Sequence, residues 1–416
     1  MSRYFILNVI SFLFLIQTVN SWHYRGTQRS PIIFVPGDGG SQVEAKLNKT
    51  SVVHYLCEKT SSDYFNIWLN LELLVPVIID CWIDNIKLVY NNETRKSSNQ
   101  EGVDIRIPGW GDPTVVEYLD PSKASQGSYF RYIGDMLVKD LGYIRNLSLR
   151  AAPYDFRKGP NENEEFFVKL KELVEETFLM NNKEPVTLIA HSMGGPMSLI
   201  FLQRQSQKWK DTYIKSFITL AGVWGGSVKA LKVFAIGDDL GAYLLRGSVL
   251  KSEQITSPSL GWLVPSRLFW KETEVLIQTQ EKNYTLANLK DYFIDVDVPN
   301  GWEFRKDNEK YQLDFTPPGV EVYCLYGSEV NTVEMLFYKP GTSIGGTPQL
   351  IFGNGDGTVN LRSLKGCLHW NGLQKQKVYS QAFPNIDHTG ILMNVNVLNY
   401  IKTVLSVPKN KSNIMT

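Results

Sequence analysis

The stretch VTLIAHSMGGPM, Val186 to Met197, constrains this chain more than any other. A run that reads as a buried strand stops at Ser192, and small residues take over. Ala190 and Gly194 lie two positions to either side of the serine. A nucleophile elbow needs that arrangement: the serine sits in a strained turn between strand and helix, so the flanking residues must let neighbouring backbone pass. Alanine before the serine adds one methyl to the glycine usually found there, which is tolerable where the adjacent strand is not too close. Gly195 gives further slack, and Pro196 suits a first helical turn. A plain strand–helix turn is the alternative. The β-run before the serine and the apolar helical pattern of GGPMSLIFLQRQ after it favour the elbow.

A serine hydroxyl is barely ionised near neutral pH and needs a base. The chain has five histidines. His23 lies near the N-terminus, and His54 belongs to a separate region before Cys57. His191 adjoins Ser192, where its ring cannot readily approach the hydroxyl along the attack direction. His369 and His388 remain, and an elbow fold runs in the order Ser, acid, His. LIFGNGDGTVN supplies the acid: Asp356 ends an apolar run between Gly355 and Gly357, which let a loop carboxylate turn inward. FPNIDHTGILMN places His388 on a turn before the last helix, so Ser192, Asp356 and His388 form the expected set. His369 reads as a loop histidine beside Cys367, and Asp387 is badly placed to orient the ring of its neighbour. An Asx-turn for Asp356 and a surface role for His388 are the plain alternatives. The same fold takes its oxyanion donors from the backbone N–H after the nucleophile, Met193, and from a loop after an early strand. FVPGDGG offers the N–H of Asp38 for the second; an ordinary turn is the alternative.

Strand-like runs recur along the chain, each followed by turn residues and then a helical pattern. PIIFVPGDGG, LSLRAAPYDFR, PVTLIA, IKSFITLAGVWGG, GVEVYCLYGS and QLIFGNGDGTV read as strands. NENEEFFVKLKELVEETFLMNN carries Phe166, Phe167, Leu170, Leu173, Val174 and Phe178 at helical spacing, with acids at its start and asparagines at its end. Alternation of this kind predicts an α/β chain with a mostly parallel sheet. Residues 223–318 lose the rhythm, are rich in aromatics and loops, and read as a cap or lid inserted between sheet strands.

The N-terminal segment has Arg3, an apolar stretch from Phe5 to Ile16, and small residues at Val19 and Ser21. That layout predicts a signal peptide over residues 1–21, with a signal anchor as the alternative. Its removal takes away Arg3 and no acid, leaving basic and acidic residues equal in number, and this balance does not suggest nucleic acid. Cys57, Cys81, Cys324 and Cys367 give an even count behind the leader, so two disulfides are expected. The spacing alone permits any of three pairings and contains no zinc pattern. Sequons start at Asn48, Asn92, Asn146, Asn283 and Asn410, making glycosylation an expectation in the secretory pathway.

YFNIWLNLELLVPVIIDCWID is too short and interrupted to span a bilayer. Trp68, Leu69, Leu71, Leu73 and Leu74 crowd apolar surface near one end of the interval between Cys57 and Cys81. An element dipping into the lipid interface is the sharper reading, and a core helix the plainer one.

HYLCEKT, YFNIWLNLELLVPVIIDCWIDNIKLVYN, LDPSKAS, APYDFR, PNEN, AHSMG, FLQRQ and GDGTVN together resemble the group XV phospholipases of the lecithin–cholesterol acyltransferase family. The resemblance runs from about Pro31 to Leu405. It implies an α/β-hydrolase domain over residues 22–405, with a disulfide-held membrane-binding subdomain at residues 50–90, the cap, and a C-terminal tail from 406. It also implies the sequential bridges Cys57–Cys81 and Cys324–Cys367, the triad Ser192, Asp356 and His388, and oxyanion donors at Asp38 and Met193. The implied chemistry is calcium-independent and needs no metal or cofactor. An acyl chain leaves a glycerophospholipid through an acyl-serine and passes to water or to a lipid alcohol such as ceramide, at a membrane surface in the lysosome lumen or outside the cell. Sterol acylation and non-catalytic lipid binding are the competing readings. Two departures stand out. Gly39 replaces a leucine common in the family loop, and SVKALKVFAIGDDLGAYLLRG matches poorly. The Asp38 carboxyl beside the oxyanion loop is a candidate acid sensor.

Overall fold

The computed structural model describes residues 29–123, 127–239 and 247–406. The signal peptide, the sequon at Asn410 and the tail from 407 lie outside the described residues. The strands that position the site are β1 (Ile32–Val35), β2 (Val43–Leu47), β3 (Phe65–Trp68), β4 (Leu149–Ala151), β5 (Val186–His191), β6 (Ile214–Leu220), β7 (Val322–Ser328), β8 (Val330–Phe337), β9 (Gln349–Gly355) and β10 (Val378–Pro384).

Every residue of β1 and β5 is buried, as expected of strands covered on both faces of a parallel sheet. The central sheet has the order β10-β7-β6-β5-β1-β4, and every neighbouring pair is parallel. The chain starts in β1, steps out to the β4 edge, returns to β5 on the other side of β1, and continues to β10. The direction of winding therefore reverses between β1 and β5. In open α/β sheets the crevice beyond the carboxyl ends of the strands at such a reversal holds the ligand. Here Val35 pairs with Ala190, so the Gly37–Gly40 loop and the serine turn leave the sheet side by side. This is the α/β-hydrolase fold.

The helix Glu164–Met180 buries Phe166, Phe167, Leu170, Leu173, Val174 and Phe178, together with Thr177. Its last turn is closed by the Asn181 amide, which donates to the Thr177 carbonyl at 2.8 Å. Asn163 does not cap the first turn; its amide donates to the carbonyls of Asp155, Lys158 and Gly159. The helix Gly194–Gln203 is buried from Gly194 to Leu202, because it packs directly behind the elbow.

One hydrophobic core surrounds the central sheet, and a second joins the helices after Val228. The second includes Leu231, Phe234, Leu289, Tyr292 and Phe293, and also Val333, Leu336 and Tyr338. The inserted core thus draws on β8, past residue 318. The run QLIFGNG, expected as a sheet strand, is β9: it pairs antiparallel with β8 outside the central sheet. None of its residues before Gly355 is buried, which suits a half-solvated hairpin rather than a central parallel strand.

Both sequential disulfides form, Cys57–Cys81 and Cys324–Cys367. Within the first, β3 pairs antiparallel with β2, followed by the turn Leu71–Leu74 and the helix Ile78–Ile86. The Arg157 guanidinium, itself paired with Asp155, donates to the Ile86 carbonyl at 2.7 Å and ties that helix to the main body. Asn48, Asn92, Asn146 and Asn283 are all exposed. Among the described residues no helix is long and apolar enough to cross a membrane.

Candidate active site

Ser192 has φ +53°, the left-handed conformation an elbow imposes on its nucleophile. Its N–H donates to Leu220 at the end of β6. The two small flanking residues are not equivalent. A Cβ on Gly194 would lie 2.4 Å from the Val35 carbonyl oxygen and 2.5 Å from that of Pro36, so no side chain fits there. Ala190 is still in the ladder, between Val35 and Thr219, and its methyl is accommodated. The close approach is on the helix side of the serine, which is why alanine can stand on the strand side.

Three side chains far apart in sequence meet at this turn. Ser192 Oγ lies 2.9 Å from His388 Nε2, and His388 Nδ1 lies 2.7 Å from Asp356 Oδ2. Asp356 is fully buried, while the His388 ring is slightly exposed. The other carboxylate oxygen, Oδ1, accepts the N–H groups of Thr358 at 3.0 Å and Val359 at 2.7 Å. The Asx-turn and the contact with the His388 ring therefore coexist, one on each oxygen. Gly357, at φ +85°, makes that turn possible, and the main-chain N–H of His388 donates to the Asp356 carbonyl at 2.8 Å. Asp387 instead accepts from the N–H groups of Thr389 and Gly390 and caps its own turn. His369 packs against Phe269 and Phe315.

Asp38 and Met193 stand on the two loops flanking the serine, and neither N–H donates to a protein acceptor among the described residues. Asp38 keeps solvent contact, yet the protein around its carboxyl desolvates it and pushes its pKa up to about 6, against the Gly39 N–H. Glu253, on the cap helix Gly247–Gln254, is buried and pushed up to about 7, first by burial and then by the Asp38 charge, with Arg157 pulling back. A pair of neighbouring carboxyls with raised pKa values thus flanks the site.

The five apolar residues expected at a lipid surface do not act as one. Trp68 turns inward: its indole N–H donates to the Gly39 carbonyl at 2.7 Å, and its ring packs near Trp82 and Phe156. Gly39, at φ +68°, leaves the space over which that ring lies; a Cβ there would be 3.2 Å from it. Leu74 is buried, and Leu69 and Leu73 are half-buried against the core. Of the five, only Leu71 is exposed. The expectation is thereby corrected for Leu74, which is buried in the core, while Trp68 is half-buried and its N–H is engaged by the Gly39 carbonyl. The exposed large apolar residues of this region are Leu71, Val75 and Val77, with Val53, Tyr55 and Leu56 near Cys57 and Val89 beyond the helix.

Tyr129 and the side chain of His191 were missed from sequence. Tyr129 Oη accepts the Gly37 N–H at 3.0 Å, and His191 lies between Tyr129 and His388. A histidine at the end of an otherwise apolar buried strand was the available signal for one. Tyr129 carried none.

The family model described as Lecithin:cholesterol acyltransferase matches residues 64–397. The "Lysosomal phospholipase A and acyltransferase" of Canis lupus familiaris is 45% identical over 397 residues, 95% of this chain and 96% of that protein. Its namesake in Homo sapiens is 45% identical over 378 residues, 91% of each. The "Phosphatidylcholine-sterol acyltransferase" of Gallus gallus is 44% identical over 362 residues, 87% of each.

Proposed function

Because the chain belongs to the lecithin:cholesterol acyltransferase family, we propose that it is a serine phospholipase and transacylase acting on glycerophospholipids, with Ser192, His388 and Asp356 as its triad. The observation that carries this reading is the continuous contact from Ser192 Oγ through the His388 ring to buried Asp356.

His388 Nε2 takes the Ser192 proton as Oγ attacks the ester carbonyl, and Asp356 holds the ring in the required tautomer. Negative charge then develops on the former carbonyl oxygen, toward the N–H groups of Asp38 and Met193. Donors fixed beforehand stabilise that charge without reorganisation, and each is worth about 3–4 kcal/mol in comparable sites. Collapse breaks the ester bond; the lysophospholipid leaves with the proton from His388, and the acyl group stays on Ser192. Water or a lipid alcohol such as ceramide then gives its proton to His388 and attacks the acyl-serine, restoring the enzyme. Every proton moves between Ser192, His388 and an incoming or leaving oxygen, so the cycle calls for no cofactor.

Residues 50–90 serve as the membrane contact, through Leu71, Val75 and Val77 with Val53, Tyr55 and Leu56 beside them. Residues 223–318 serve as the cap. Such a protein works at a phospholipid surface from the aqueous side, in the lysosome lumen or outside the cell.

Mass spectrometry of vesicles containing phosphatidylcholine, ceramide and cholesterol tests the reading. Free fatty acid and acylated ceramide are expected from the wild-type protein, and neither from Ser192→Ala, which should still bind the vesicles. Acyl release by Ser192→Ala would overturn the triad. A product dominated by cholesteryl ester would instead favour the sterol-acylating activity named for the Gallus gallus relative.

A further inference from the structure

His191 precedes the nucleophile and is buried, yet both of its ring nitrogens are engaged away from Ser192. Nε2 lies 2.8 Å from the main-chain oxygen of His388, and Nδ1 lies 2.5 Å from Tyr129 Oη. A carbonyl oxygen only accepts, so Nε2 carries a hydrogen. Burial, and then the nearby His388 side chain, holds the His191 pKa well below its ordinary value against the pull of the His388 carbonyl. The ring is therefore neutral and Nδ1 is bare. Tyr129 accordingly donates its O–H to Nδ1 and accepts the Gly37 N–H with a lone pair. The polarity of the chain is fixed throughout: Gly37 N–H to Tyr129, Tyr129 O–H to His191, His191 N–H to the His388 carbonyl.

This chain of bonds passes behind the nucleophile and joins its two flanks. At one end is the loop carrying Asp38. A side chain on Gly37 would collide with Ser192 Cβ at 2.7 Å, so the Tyr129 hydroxyl grips that loop through its backbone. At the other end is His388, whose N–H is already held by the Asp356 carbonyl. With its own carbonyl taken by His191, the base keeps only its ring torsions. The middle is rigid: the Tyr129 N–H donates to Glu117, and the adjoining Phe130 ring stacks on Phe34 of β1 at 4.5 Å.

We propose that Tyr129 and His191 are positioning residues that hold the oxyanion loop and the histidine loop at a fixed separation across Ser192. Their hydrogen bonds reach no reacting atom. A displacement of about 1 Å at a reacting centre costs on the order of a hundredfold in rate, so a strut tying both loops to the same sheet bears on turnover rather than on substrate affinity.

The inference rests on the serine-hydrolase reading, which labelling of the wild-type protein by a fluorophosphonate, and loss of that label in Ser192→Ala, tests separately. The strut itself is tested with Tyr129→Phe, which removes one oxygen and leaves the ring packing in place. Rates on a short soluble ester are expressed per labelled serine, so misfolded molecules do not count. We expect kcat to fall roughly tenfold, equivalent to about 1.4 kcal/mol, with KM and vesicle binding within twofold of wild type. His191→Gln keeps an N–H able to reach the His388 carbonyl and should retain more activity than His191→Phe. The double variant Tyr129→Phe/His191→Phe should lose no more than His191→Phe alone, since both changes break one chain. Wild-type kcat in Tyr129→Phe, or losses that multiply in the double variant, would overturn the proposal. Tyr129→Phe carries the test if the His191 variants fail to fold.

Discussion

The separation between inward Trp68 and outward Leu71, Val75 and Val77 makes a prediction with two opposite arms. The three outward residues are 42%, 46% and 48% exposed. Together they present roughly 200 Å² of apolar surface, worth about 5 kcal/mol at ~25 cal/mol per Å² if all of it left water. If half enters lipid, replacing all three by serine weakens partitioning by about two orders of magnitude, at ~1.4 kcal/mol per decade. Among the described residues no hydrogen bond joins any of the three to the Gly37–Gly40 loop, so hydrolysis of a short soluble ester should be unchanged. Trp68→Phe should do the reverse. It keeps an aromatic ring over Gly39 but removes the indole N–H that holds the loop carbonyl. The loss of one such bond, about 0.5–1.5 kcal/mol, should lower soluble-ester kcat about two- to twelvefold and leave vesicle binding near wild type. Vesicle flotation measures the first quantity and a chromogenic butyrate ester the second. Equal losses on both assays for the triple serine variant would mean that the segment is core and the lipid assignment is wrong. Full soluble-ester activity in Trp68→Phe would mean that the contact with Gly39 is incidental.

Asp38, with a pKa near 6, is neutral in acid and charged above that value, where its charge opposes an oxyanion forming on its own loop. The soluble-ester rate should therefore fall between about pH 5 and 7, and Asp38→Asn should remove that fall; an unaltered profile in the variant would refute the sensor. Glu253 has a folded pKa of about 7, above its ordinary 4.5, so the unfolded chain ionises first. Stability is then greatest in acid and declines as pH rises toward 7, and thermal melts of Glu253→Gln should lack this decline. Removing the Cys324–Cys367 bridge, which spans 43 residues, should cost about 4 kcal/mol and lower Tm by several degrees. An unchanged Tm would show that the bridge constrains little.

Elements whose chemistry is local could be read from the sequence. The elbow announces itself because a strained serine demands small neighbours within two residues, and Asp356 because a turning carboxylate needs glycines at its sides. His388 followed by elimination among five histidines and from chain order. Elements defined by a partner could not be read this way. An apolar stretch such as YFNIWLNLELL states that its residues leave water, but not whether they leave it for lipid or for protein, so Trp68 and Leu74 were indistinguishable from Leu71. The strand before Asp356 was legible as a strand but not as one outside the central sheet, since pairing is a property of two segments. His191 was legible only as a neighbour of the serine; that both its ring nitrogens are engaged is visible only once Tyr129 and the His388 carbonyl are beside it.

The subdomain held by Cys57–Cys81 is joined to the chemistry at two points of different kind. Trp68 fastens it to the oxyanion loop through the Gly39 carbonyl, and the Ile86 carbonyl fastens it to buried Arg157, whose charge also bears on Glu253 of the cap. The exposed face at Leu71, Val75 and Val77 thus belongs to a unit that contacts both the loop carrying Asp38 and the ion pair of Asp155 and Arg157. Gly39, at φ +68°, is the point of the oxyanion loop on which the subdomain rests. The glycine leaves room for the Trp68 indole, which lies over the loop from the subdomain side, and any side chain at 39 would press on that ring.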